Sequence, residues 1–122
     1  MYFGLSEDQI FFQDNVKKFL EDNAPLDAVK KITEGADFST KDELHQGLIN
    51  LGINNILIPE ENGGLGLDLL FSSAVSQSLG EGIATLPFVG PYVIAPIAIK
   101  YGANDSQKEK LFNEMSQNLI NC

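Results

Sequence analysis

The chain has 122 residues, 43% of them apolar, with 17 acidic against 8 basic side chains and a net charge of −9. That length suits one domain able to bury about two-thirds of its unfolded surface, and the apolar share excludes a disordered tail. Every basic residue is a lysine, so the charge speaks against nucleic acid and anionic membranes, and the missing guanidinium removes the usual bidentate phosphate clamp.

The first helix is predicted from about residue 7 to 22. Ser6 and Gln9 form a capping box, Leu5 and Ile10 have the spacing of a hydrophobic staple, and Glu7 and Asp8 sit where the helix dipole favours acid. Phe12, Val16, Phe19 and Leu20 share its apolar face. Pro25 suits the first turn of a short second helix carrying Leu26, Val29 and Ile32, ended by Gly35. Thr40 and Glu43 read as a second capping box, opening a helix over about 41–51 with Leu44, Leu48 and Leu51 in one stripe and Gly52 as its left-handed stop.

From Ile53 to Asp68 the pattern is irregular. Pro59 and the run Asn62-Gly63-Gly64 predict an ordered turn with positive φ at the glycines, and Ile53, Ile56 and Ile58 are expected to tuck into the core. Asp68 caps a fourth helix over about 69–81, with Leu70, Phe71, Ala74, Val75 and Leu79 apolar and Gly80 and Gly82 closing it. The fifth helix, about 89–101, has almost no polar side, so it is expected to be buried on several sides or covered by a partner; Pro96 predicts a kink within it. Asn104 and Gln107 open a sixth helix to about 117, with Leu111, Phe112, Met115 and Leu119 as its stripe. The expected fold class is all-α, a single domain of about six helices in an orthogonal or up-down bundle.

Chemistry-bearing patterns are sparse. His45 is read as a surface histidine, Glu60 and Glu61 as solvated acids, and Cys122 as an inert terminal thiol with no disulfide partner. Metal-ligand spacings are absent, so no metal site is expected. Gly63, Gly64 and Gly66 fail the dinucleotide fingerprint because Leu69 fills its third position; Gly80 and Gly82 fail it at Thr85. Neither a catalytic nor a cofactor-binding residue is therefore assigned. The start of the chain turns acidic where a secretory signal would be basic, and the apolar run Phe88–Ile99 is about 12 residues where a membrane span needs about 20. No membrane insertion is expected, and a soluble protein of the cytoplasm or a matrix-type compartment is.

One block carries a resemblance. Leu51-Gly52, the apolar stretch to Ile58, Pro59-Glu60, two residues, then Gly63-Gly64-Leu65-Gly66 resembles the acyl-CoA dehydrogenase family's N-terminal domain. Leu5 to Gln9, Ser78 to Gly82, Leu86-Pro87-Phe88, and Tyr101-Gly102 through Gln107-Lys108 to Leu111 continue the pattern in order, over essentially the whole chain.

The resemblance implies a three-domain flavoenzyme: this helical domain, then a β-domain and a C-terminal helical domain that hold FAD between them. It implies α,β-dehydrogenation of an acyl-CoA, by a glutamate and flavin outside these residues, with electrons passing to an electron-transfer flavoprotein. On that view the 122 residues alone are inactive and bind no FAD, and the enzyme is a homo- or hetero-oligomer. The family role of this domain is to help wall the acyl-chain cavity, which implies Leu86, Phe88, Val89, Tyr92 and Val93 as substrate-side residues; plain core packing is the competing reading of the same five. The alternatives to an enzyme domain are a non-catalytic partner subunit and a stand-alone helical binding module.

Overall fold

In the computed structural model, residues 4–35 and 38–117 are described. Among them lie six α-helices and no strand, so the all-α expectation holds: α1 Glu7–Asn23, α2 Leu26–Thr33, α3 Phe38–Asn50, α4 Leu69–Glu81, α5 Ala95–Gly102 and α6 Asp105–Ser116. A 3-10 turn at Glu60–Asn62 and a π turn at Gly90–Ile94 interrupt the connections. The chain forms two compact groups. One comprises the residues up to Leu51 with Ser73–Leu86; the other comprises Gly52–Ser72 and the residues from Pro87 on. Helix α4 thus begins in the second group and continues in the first.

The first group packs α1 and α2 against α3. The predicted capping box of α1 is formed: Gln9 N–H donates to Ser6 Oγ at 3.2 Å, and Ser6 N–H to Gln9 Oε1 at 2.9 Å. The buried face of α1 runs Gln9, Gln13, Val16, Leu20, spaced four, three and four. Phe12 and Phe19 are only half-buried and Ile10 is exposed, while two glutamines share the buried face with Val16 and Leu20. Gln13 is retained there because its Nε2 donates to the Ala74 carbonyl at 2.8 Å, tying α1 to α4 without leaving the amide unpaired. Pro25 is the N-cap of α2, one position before the expected place.

Thr40, the predicted N-cap, lies inside a helix. Helix α3 is already under way at Phe38, so the Glu43 amide belongs to the i→i−4 ladder and does not need Thr40 as a cap. The stripe is as expected at Leu44 and Leu48, both buried, while Leu51 is half-buried. Gly52 stops the helix with φ +89°.

In the second group, the irregular segment doubles back on itself. Leu65, Gly66 and Leu67 N–H groups donate to the carbonyls of Asn55, Ile58 and Ile56, each at 2.8 Å. Ile53, Ile56 and Ile58 are fully buried, as their pattern predicts. Gly63 has the expected positive φ, but Gly64 does not; a Cβ there would collide with the Ile58 carbonyl, so Gly64 is needed for close approach instead. Ile58 packs with Phe112 and Met115, backed by Ala95 and Ile99. Asp68 Oδ1 accepts from Phe71 N–H at 3.2 Å, the predicted cap of α4. The Asn104–Gln107 capping box of α6 is formed in both directions. Leu119 and Cys122 lie outside the described residues.

Candidate functional site

The segment from Phe88 to Gly102 is the part of the second group whose apolar character exceeds what a core needs. It was expected to be one kinked helix. Instead a π turn spans Gly90–Ile94 ahead of α5, closed by Ala95 N–H donating five residues back to the Gly90 carbonyl. Pro96 supplies the reason: it has no N–H for the Tyr92 carbonyl, and its ring would crowd that carbonyl in a regular α-helix. A locally widened turn carries the chain past the ring and shifts the side-chain register.

The register sorts the five expected residues. Phe88 and Tyr92 are buried, each 7% exposed, with their rings edge-to-face at 6.3 Å and 61°. Val89 faces outward at 51% exposure, and Val93 is half-buried. Leu86 is half-buried and closes the first group, whereas the other four belong to the second. The uniformly apolar helix is therefore buried on the side of Phe88, Tyr92 and Pro96, while Val89, Ile94 and Tyr101 stand exposed. Ile94 was not among the expected residues, because the sequence gives no sign of the extra residue in the turn.

Beside the same helix the second group has a groove of about 360 Å³. Leu57, Leu67, Leu69, Pro96 and Ile97 line it together with Asp68, Lys100 and Tyr101. None of the five expected residues lines it. Its size is at the lower end of the range for small-ligand sites, roughly 300–1,000 Å³. Lys100 Nζ lies 5.5 Å from the Tyr101 ring centroid, a cation–π contact on a solvent-facing ring. The groove lining is thus mostly apolar, with one positive and one negative group in it.

The first group holds the other electrostatic feature. Lys17 Nζ lies 3.0 Å from Glu81 Oε2, and Gln77 Nε2 donates to Glu81 Oε1 at 2.9 Å. The hydrogen bond from Lys17, then that from Gln77, then the Lys17 charge hold the Glu81 carboxyl below its ordinary value. This pair is a surface brace between α1 and α4. His45 is half-buried on α3 rather than exposed.

The Gly63–Gly66 turn does not fit a flavin pyrophosphate. Gly63 and Gly66 take left-handed φ to close the turn, and the space over Gly66 is occupied by the Glu60 side chain, whose charge would repel a phosphate. Among the described residues, no three His, Cys, Asp or Glu side chains cluster as a metal site, and no helix is long and apolar enough to cross a membrane.

Compared with known proteins, the chain matches the family described as acyl-CoA dehydrogenase, N-terminal domain, over residues 6–118. It is 29% identical over 109 residues to the mitochondrial isovaleryl-CoA dehydrogenase of Bos taurus, a match taking in 88% of this chain and 25% of the bovine protein. The chain thus spans about a quarter of the length of that relative. No solved structure matches it.

Proposed function

The chain belongs to the acyl-CoA dehydrogenase family through its N-terminal domain, and from that premise we propose that it is the substrate-side helical domain of a larger, FAD-dependent acyl-CoA dehydrogenase-type oxidoreductase. The observation that supports this reading best is the exposed apolar flank of the Phe88–Gly102 segment, a surface suited to an acyl chain rather than to solvent. Phe88, Val89, Tyr92 and Val93 form or back this domain's share of the acyl-chain wall. Val89 and Val93 are at or near the surface, and Phe88 and Tyr92 support them from the core.

The reaction proposed is α,β-dehydrogenation of an acyl-CoA thioester, with FAD accepting the hydride when bound and an electron-transfer flavoprotein as the onward partner. The glycine turn at Gly63–Gly66 does not fit the flavin's phosphates, so this chain's contribution is to exclude water and shape the acyl site. The residues that hold FAD and take the substrate proton belong to the rest of the protein, a β-domain and a C-terminal helical domain, and the assembly is oligomeric.

The test is Val93→Trp in the enzyme that carries this chain, assayed across acyl-CoA lengths. Added bulk is expected to shift preference toward shorter chains by about 10-fold, the scale on which an apolar pocket discriminates by size. Unchanged preference in a folded variant would remove the wall role.

A further inference from the structure

The pattern of burial along the Phe88–Gly102 segment does not fit a regular α-helix. At about 100° per residue, positions seven apart lie about 20° apart and share their surroundings. Val89 and Pro96 are seven apart, yet Val89 is 51% exposed and Pro96 is fully buried. The same geometry would place Val89 and Ile94 about 140° apart on the helix surface; both are exposed, Ile94 at 60%. The π turn resolves both discrepancies. Its i→i+5 closure adds one residue to the turn, so residues five apart come nearly into line. Phe88, Tyr92 and Pro96, four apart, face inward, and Val89, Ile94 and Tyr101 face outward.

We propose that the π turn at Gly90–Ile94 decides which side chains this segment offers to an acyl chain: Val89 and Ile94 together set specificity, while Phe88 and Tyr92 are withheld in the core as their support. The proposal rests on the wall reading above and adds Ile94 to it. It also gives the widened turn a role that a straight helix of the same composition could not fill, since that helix would turn Val89 and Ile94 to different sides.

Two measurements test it separately from the wall reading. In the chain carrying Cys122→Ser, single cysteines at Val89→Cys and Ile94→Cys should react with a maleimide at least about 10-fold faster than one at the buried Ala74→Cys, because a buried thiol must wait for local opening. Deleting Gly90 removes the extra residue. The two reactivities should then diverge by about 10-fold while circular dichroism retains the helix content. Val89→Cys as slow as Ala74→Cys in the undeleted chain would overturn the proposal, as would equal fast reactivities in a folded deletion variant. In the enzyme, Val89→Phe and Ile94→Phe should each move kcat/KM toward shorter acyl-CoA by about 10-fold. If Val93→Trp shifts preference and neither phenylalanine variant does, the register proposal fails and the wall reading survives. If none of the three shifts it, the wall reading itself fails.

Discussion

Ile83 sits in a conformation that β-branched residues avoid, with φ +52° just past α4. The hydrogen bonds around it define a Schellman ending: Ala84 N–H donates to the Leu79 carbonyl at 2.9 Å and Ile83 N–H to the Gly80 carbonyl at 3.1 Å. Glycine is the usual residue at that left-handed position, and the sequence offers one immediately before it. Gly82 is already committed elsewhere, because a Cβ there would press on Leu20 of α1 at 2.5 Å. Gly82 follows the helix end, as the sequence indicates, while Gly80 lies within α4, and the left-handed role falls to Ile83. Only the packed structure shows which glycine is needed for close approach and which residue takes the strain. Ile83→Gly should therefore stabilise the fold by about 1 kcal/mol, the order of the left-handed penalty relieved. The urea midpoint checks it, and a lowered midpoint would mean that the exposed Ile83 side chain contributes more than its backbone costs.

At the scale of elements, the Lys17–Glu81 brace between α1 and α4 makes a directional statement about pH. Glu81 is held ionised below its ordinary value, chiefly by the hydrogen bond from Lys17. A carboxyl whose folded value is depressed contributes stability that is fully present above the unfolded value and disappears as pH falls through the folded value. Glu81→Gln should thus be less stable than the parent near neutrality and indistinguishable from it well below the ordinary carboxylate range. High salt should narrow the neutral-pH gap, because the pair is half-exposed. Urea titrations at the two pH values check this, and a gap that persists in acid would contradict it. Helix beginnings were legible wherever the cap is reciprocal, as at Ser6–Gln9 and Asn104–Gln107. Thr40–Glu43 carries the same pattern but lies inside α3, since nothing in four residues reveals that a helix has already started. The π turn was invisible for a related reason: Pro96 announces a disturbance, but whether the chain kinks or widens depends on what Phe88 and Tyr92 pack against.

For the whole chain, the all-helical class, the family and the buried isoleucines of the irregular segment were all readable, because apolar spacing and turn glycines are local signals. The two compact groups were not, since α4 contributes to both and its periodicity does not change where one ends. Of the candidate site, the segment was legible and its facing was not. A helix apolar on every side leaves no pattern from which to choose Val89 and Ile94 over Phe88 and Tyr92. The match covers 25% of the bovine dehydrogenase. On the proposed function, these 122 residues are the substrate-side part of a larger flavoenzyme. The most direct test is the intact mass of the polypeptide isolated from its natural source. A mass corresponding to several times 122 residues is the result predicted. A mass equal to these residues alone would contradict the claim and leave a stand-alone helical binding module in its place.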